Sequence, residues 1–145
     1  MFERLITALR IKRAAAAAAV SSSQLQALLE KIQRQLSAKR FQLVSLGGVN
    51  NIAMVLFFDG NDIAYAIAKI ELTALAQREW QFIRWQQQFN PGLTPDPFAL
   101  HELAGSDYQL LVSQYCRPFD GTNPDAVNQL FLRLAELPQL PILFE

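Results

Sequence analysis

The amino-acid sequence predicts an α+β fold: a five-stranded antiparallel sheet with one packed helix, preceded by two N-terminal helices. Three observations support this prediction. Residues 1–40 contain two helical patterns, one of them strongly amphipathic. Residues 41–70 contain three apolar stretches joined by short turns rich in glycine, asparagine and aspartate, as in an antiparallel meander. Residues 72–114 add one amphipathic helix and two further strands.

Composition limits the classes of function. The 145 residues fit one domain, and a hydrophobic content of 51% with ten phenylalanines supplies a sizeable core. Thirteen basic and thirteen acidic side chains leave no net charge, so neither nucleic acid nor a membrane is an expected partner. Cys116 is the only cysteine, which excludes an intrachain disulfide and predicts a reducing compartment such as the cytoplasm. With His101 as the single histidine, no zinc site is recognised and no metal ligands are assigned.

The N-terminal region is predicted to form two helices. Glu3–Val20 has an alanine run and neither glycine nor proline, so we expect a retained helix rather than a targeting segment. The apolar residues at its start form one stripe: Phe2, Leu5, Ile6 and Leu9. One of the serines in Ser21–Ser23 caps the next helix, Gln24–Ala38, whose leucines and isoleucine follow the helical period. This second helix packs on its own domain or binds a partner, and its pattern fits both.

The middle of the chain is predicted to form three strands in succession. The first two are Phe41–Leu46 and Ile52–Phe58, separated by a glycine turn. Asp59–Asp62 forms the hairpin turn to the third strand, Ile63–Ile70. The third strand is apolar on both faces, which is typical of a strand covered on both sides.

The remaining elements follow from helical periodicity and from the positions of glycine and proline. Proline and glycine after residue 90 end a long helix, and Asn123 and Pro124 begin the last one. The predicted elements are a helix over Leu72–Phe89, strands over Phe98–Leu103 and Tyr108–Gln114, and a helix over Asp125–Leu137.

Lys69 and Glu79 are out of place in their apolar elements. By alternation, Lys69 shares one face of its strand with Tyr65 and Ile67. Glu79 lies on the helix stripe that Leu75 and Phe82 define. A buried ammonium without a partner is costly. Either the two charges meet as an ion pair, or Lys69 extends to water at the strand end while Glu79 lies at the edge of the stripe.

Four segments, taken in chain order, carry a resemblance to a known family. They are the loop Ser45–Asn51, the strand segment Ala66–Lys69, the helix segment Arg78–Trp85 and the connector Gln114–Pro118. This order resembles the N-terminal lobe of the protein-kinase-like phosphotransferases, and most of all the aminoglycoside phosphotransferase and choline kinase family. The resemblance divides the chain into a helical extension (residues 1–40), a lobe (residues 41–121) and the start of a second lobe (residues 122–145).

The resemblance implies an ATP-binding role and a small alcohol or amino sugar as the phosphate acceptor. In that family the glycine loop covers the phosphates, the strand lysine orients them, the helix glutamate holds the lysine, and the connector faces the adenine edge. The residues that would bind the nucleotide are Gly47, Gly48, Asn50, Lys69, Glu79, Gln114 and Cys116.

The chain also departs from the family pattern. Its two glycines are adjacent rather than spaced, and Ile67 stands where the family usually has alanine. His101 lies in a predicted strand rather than in a catalytic loop, and Asp120 is followed five residues later by Asp125 instead of asparagine. We therefore assign no catalytic residue, and expect magnesium binding only with a second lobe. The chain is then either part of a longer kinase or a remnant that binds without catalysis.

Two other functions fit the same residues. The chain could be a non-catalytic interaction or sensory module that docks on a protein partner through its N-terminal helices. Alternatively, residues 1–40 could form a helical pair through which the chain self-associates. Neither of these functions needs Lys69 to pair with Glu79.

Overall fold

A computed structural model describes residues 2–44, 51–92, 94–116 and 122–135. Within these ranges it contains four helices and a five-stranded antiparallel sheet, which confirms the predicted α+β fold class. The strand order is β1-β2-β3-β5-β4, so β3 is the central strand. The elements are α1 (Phe2–Ala17), α2 (Ser22–Leu36), β1 (Arg40–Val44), β2 (Asn51–Phe58), β3 (Ala64–Leu72), α3 (Thr73–Phe89), β4 (Pro97–Glu102), β5 (Tyr108–Gln114) and α4 (Pro124–Ala135).

The predicted meander of three strands is confirmed, and its second turn is the one that the sequence indicates. Strands β1, β2 and β3 pair antiparallel in succession. The Asp59 carboxylate accepts hydrogen bonds from the N–H groups of Asn61 and Ile63 at 2.9 and 3.0 Å. Asp62 adopts a left-handed conformation with φ of 62°, which aspartate tolerates better than most residues. This turn fixes the register of β3 against β2.

One face of the sheet forms the main core with α1 and α2. Helix α1 contributes small side chains to this core, including Ala14 and Ala15. Strand β3 contributes Ala66 and Ala68 to the same cluster. The larger buried members of this cluster are Ile11, Leu25, Leu29, Ile32, Leu43, Val55, Phe57, Ile70, Leu110 and Val112.

Helix α2 is fixed at both ends. Ser21, rather than Ser22 or Ser23, is the N-cap, and its hydroxyl accepts from the Gln24 N–H at 3.1 Å. At the other end Ser37 adopts a left-handed conformation with φ of 54°, and the helix ends there. The predicted start of this helix was therefore two residues late.

Tyr65 lies on the α2 side of the sheet, so the prediction that it shares a face with Lys69 was wrong. The pairing of β2 with β3 shifts register between Phe57 and Phe58, which inserts one extra residue into β3. The Tyr65 hydroxyl consequently donates to the Leu36 carbonyl at 2.5 Å. This hydrogen bond connects the last turn of α2 to the central strand.

The opposite face of the sheet carries α3, which packs on β3, β4 and β5. The buried apolar side chains Ala76, Ile83 and Leu111 lie outside the main core cluster. On this side the β2 residues Met54 and Leu56 are only partly buried, whereas their neighbours on the α1 and α2 side are fully buried. The sheet therefore has one closed face and one partly open face.

Helix α4 begins as the sequence predicts. Asn123 is the N-cap, and its side-chain oxygen accepts from the N–H groups of Asp125 and Ala126 at 3.0 and 3.3 Å. Pro124 is the first helical residue. The Arg133 guanidinium donates to the Pro91 carbonyl at 3.5 Å, which links α4 to the end of α3. No helix in the described part of the chain is both long and apolar enough to cross a membrane.

The helices of the closed face should contribute to the stability of the sheet. Replacing Leu29, which is fully buried between α2 and the sheet, by alanine should lower the free energy of unfolding by about 3 kcal/mol, because it leaves a cavity. Leu9→Ala is the matched control on α1, since Leu9 is exposed, and should change the free energy by less than about 0.5 kcal/mol. Urea denaturation followed by circular dichroism measures both. Equal changes in the free energy of unfolding for Leu29→Ala and Leu9→Ala would contradict the packing of α2 on the sheet.

Candidate functional site

Lys69 lies in the centre of the sheet and forms an ion pair with Glu79 of α3. Its side chain is 22% exposed, and its neighbours in the pairing register are Met54 of β2 and Leu111 of β5, both apolar. The Lys69 ammonium donates a hydrogen bond to Oε1 of Glu79. The sequence allowed either an ion pair between Lys69 and Glu79 or a Lys69 side chain that extends to water. The structure contains the ion pair.

The start of α3 determines where Glu79 lies. Helix α3 follows β3 without a loop, with Leu72 at the N-cap position and no side-chain cap. The Thr73 N–H instead donates to the Asp107 carbonyl at 2.8 Å, which holds the first turn against the β4–β5 connection. Because the helix begins four residues after Lys69, Glu79 comes to lie beside the lysine in the second turn.

The buried side of α3 is rotated from the predicted stripe. Ala76 and Ile83, three residues before and four after Glu79, are the buried residues of this helix. Phe82, which the prediction placed inside, is 45% exposed. A small side chain at Ala76 allows the helix backbone to approach the sheet, so the packing line passes through it rather than through the larger Phe82.

Glu71 is a second carboxylate beside Lys69 and was not recognised in the sequence. Its Oε1 lies 3.7 Å from the Lys69 Nζ, and its side chain is 5% exposed. The predicted strand ended at Ile70, one residue too early to include Glu71. The available signal was its position two residues after Lys69, because residues two apart in a strand share a face.

Burial raises the pKa of the Glu71 carboxyl to about 7. The neighbouring Glu79 carboxylate contributes to this rise in pKa, whereas the Lys69 ammonium opposes it. Strand register places Glu71 directly between Asn51 of β2 and Gln109 of β5. Oδ1 of Asn51, Oε2 of Glu71 and Oε1 of Gln109 are all buried with no hydrogen-bond partner among the described residues.

The predicted connector residues lie at the end of β5. The Gln114 N–H donates to the Asp96 carbonyl at 2.8 Å, and the Gln114 side chain accepts from the Asp96 N–H at 3.2 Å. The Tyr115 N–H donates to the Tyr65 carbonyl at 3.0 Å. Cys116 follows and is exposed. The backbone N–H groups of Gln114 and Tyr115 are therefore engaged by other backbone carbonyls, and Cys116 follows them in the chain.

The structure brings together only some of the predicted nucleotide-binding residues. Lys69 and Glu79 are in contact. Gln114 opposes Ala66 on β3, three residues and thus roughly 10 Å along the strand from Lys69. Gly47, Gly48 and Asn50 lie outside the described residues.

A large cleft lies elsewhere in the molecule. It has a volume of about 1000 Å³ and is bounded by α1, α2 and the edge strand β1. Cationic and anionic side chains both line it, including Arg4, Arg10, Glu3 and Glu30. One of its cations is already engaged, since the Arg10 guanidinium donates to the Leu43 carbonyl at 2.7 Å. This mixture of charges does not favour one class of ligand.

Comparison with known proteins found no match: no protein family, no curated protein and no solved structure is significantly similar to this chain. The interpretation of the site therefore depends on the geometry of Lys69, Glu71 and Glu79.

Glu71→Gln should change how stability depends on pH. In the native state the Glu71 carboxyl keeps its proton up to a pH of about 7, whereas the unfolded chain releases it near its ordinary pKa of 4.5. The native state thus binds more protons between these values, and the free energy of unfolding falls as the pH rises through them. Glutamine has no such proton, so the variant should gain about 3 kcal/mol over the wild type at pH 8 and little at pH 4.

Urea denaturation at both pH values measures this difference. Glu102→Gln is the matched control, because Glu102 is exposed on β4 and its replacement should give the same small difference at both pH values. A Glu71→Gln effect that does not vary with pH would contradict a buried, protonated carboxyl.

Proposed function

We propose that the chain is the nucleotide-binding lobe of a small-molecule kinase resembling the aminoglycoside phosphotransferases, with ATP as its ligand. The observation that carries this proposal is the ion pair between Lys69 of the central strand and Glu79 of the packed helix. This is the contact that the resemblance requires of these two residues.

The ion pair suits an ammonium that binds phosphate. A carboxylate partner favours the charged form of a lysine and limits the directions in which its flexible side chain points. Lys69 is still 22% exposed, so its ammonium can reach a ligand. An oriented positive charge in a partly desolvated position attracts the phosphates of a nucleotide more strongly than a lysine in bulk water does.

The partly open face of the sheet offers an apolar surface beside this charge. Met54, Leu56 and Ile67 are only partly buried on this face, and Ile67 pairs with Leu56 across the two strands. A flat apolar surface next to a cation fits a ligand with an aromatic base at one end and phosphates at the other. Gln114 pairs with Ala66 of the closed face, so its side chain is not part of this surface.

The proposed role is limited to binding and orienting the nucleotide. Phosphoryl transfer requires a catalytic carboxylate and magnesium ligands, which the resemblance assigns to a second lobe. Within the described ranges no group of three or more histidine, cysteine, aspartate or glutamate side chains has a metal-binding arrangement. The acceptor molecule, a small alcohol or amino sugar, follows only from the family resemblance.

A thermal shift titration with ATP and magnesium tests the proposal. At an ATP concentration ten times its dissociation constant, binding should stabilise the wild type by about 1.4 kcal/mol, or roughly 4 °C in Tm. Lys69→Ala should abolish this shift, because it removes the charge that binds the phosphates.

Lys31→Ala is the matched control for this titration. It also removes one lysine, but from the exposed surface of α2, and should leave the ATP shift intact. Circular dichroism verifies that both variants are folded. No shift in the wild type, or the same shift in Lys69→Ala, would end the proposal.

One observation favours a second candidate function, self-association through α1. Phe2, Leu5 and Leu9 form an apolar stripe, and all three are exposed. The predicted helical stripe at this end of the chain is therefore real, but the described residues do not cover it. A second copy of the same helix would bury such a stripe symmetrically.

Sedimentation of Leu5→Glu and Leu9→Glu variants tests self-association. Deleting residues 1–40 would not, because Ile11 and Ala15 of α1 belong to the core. If α1 mediates a dimer, the wild type should gain mass with concentration and both variants should stay monomeric. Equal masses at all concentrations would leave the stripe without this role.

A further inference from the structure

Lys69 lies between two carboxylates that belong to different elements. Glu79 contacts it from α3, and Glu71 lies 3.7 Å from its Nζ on the same strand. A separation of 3.7 Å is at the outer limit of an ion pair, so a change of side-chain rotamer is enough to bring Lys69 and Glu71 into contact. One ammonium is therefore within reach of two acceptors.

The two carboxylates differ in their access to water. The Glu79 side chain is 33% exposed, whereas the Glu71 side chain is 5% exposed. An ionised carboxylate that cannot be hydrated needs a cationic partner, because burying an unpaired charge is costly. If both carboxylates are ionised, Glu79 can turn to solvent, while Glu71 depends on Lys69.

We propose that Glu71 is a second, proton-controlled partner of Lys69. While Glu71 is neutral, Lys69 holds α3 on the sheet through Glu79. When Glu71 releases its proton to solvent, Lys69 turns to Glu71, and the ionic link between β3 and α3 is lost.

The surroundings of Glu71 support this assignment. The charged groups that face it are Lys69 from its own strand and Glu79 from α3, while β2 and β5 face it with the uncharged amides of Asn51 and Gln109. The segment 45–50, which joins β1 to β2, contains no ionisable side chain. Among the described residues, Lys69 is therefore the cation that pairs with Glu71.

The row of buried oxygens independently favours a neutral Glu71. The unpartnered Oδ1 of Asn51, Oε2 of Glu71 and Oε1 of Gln109 lie on three adjacent strands in register. All three atoms act as acceptors when Glu71 is ionised, and buried acceptors need a donor. A proton on Glu71 supplies that donor. Burial raises the pKa of this carboxyl to about 7, so the exchange of partners falls in the neutral range.

The consequence for ligand binding rests on the proposed function. If Lys69 binds nucleotide phosphates while Glu79 holds it, loss of that pair above neutral pH should weaken nucleotide binding. The exchange of partners itself needs no nucleotide, so the two proposals can be tested separately.

Tryptophan fluorescence without nucleotide tests the exchange directly. Both tryptophans of the chain, Trp80 and Trp85, are on α3. The wild type should show one fluorescence transition with a midpoint near pH 7, and Glu71→Gln should abolish it. Over the same range, hydrogen exchange at the α3 amides, corrected for the intrinsic rate, should become roughly tenfold faster in the wild type and stay constant in Glu71→Gln.

Two control variants make the result specific. Glu102→Gln removes an exposed carboxylate of β4 and should keep the transition. His101→Gln removes the single histidine, which pairs with Leu110 of the closed face, and should also keep it. A transition that survives in Glu71→Gln, or disappears in His101→Gln, overturns the proposal.

A carboxyl carbon NMR titration provides a second measurement that does not depend on a substitution. Glu71 should titrate near pH 7, and the Glu79 signal should shift with the same midpoint. Titration of Glu71 near its ordinary pKa overturns the proposal even if Glu71→Gln does not fold.

The outcomes distinguish the two proposals. If ATP fails to bind but the fluorescence transition remains, only the proposed function fails. If ATP binds equally at pH 6 and 8 and no fluorescence transition occurs, only the exchange of Lys69 partners fails.

Discussion

The ammonium of Lys69 in the central strand is the constraint on which the arrangement around it depends. An unpaired charge at that position would be costly, and the helix on this face of the sheet supplies a carboxylate. Helix α3 does so through Glu79, which requires the helix to begin directly after β3 and to lie across β3, β4 and β5. The ion pair thus connects the position of α3 to a partly buried side chain of the central strand.

The two faces of the sheet are built for different purposes. Alanines of α1 and of β3 belong to the core of the closed face, together with larger apolar side chains. The other face mixes Lys69, Glu71 and Glu79 with partly buried apolar residues. Stability is therefore concentrated on the side of α1 and α2, which leaves the α3 side free to hold polar groups that a well-packed core would exclude.

Much of this arrangement was predictable from the sequence, because local patterns determine it. Alternation and helical spacing gave the fold class and the two elements that carry Lys69 and Glu79. The remainder depends on tertiary detail that periodicity does not contain. A single inserted residue turns Tyr65 to the other face, and a helix without a preceding loop extends the strand to include Glu71. On α1 the helical period of the sequence indicated an apolar stripe. It did not indicate that the stripe would be exposed in the first turns of the helix.

The direct junction between β3 and α3 has a mechanical consequence. With Leu72 as the last strand residue and Thr73 tied to the Asp107 carbonyl, the helix has its pivot at its first turn. Glu79 lies roughly 9 Å from that pivot and Phe89 roughly 24 Å. The helix is therefore a lever arm, in which a small tilt at Glu79 displaces the aromatic far end by more than twice as much.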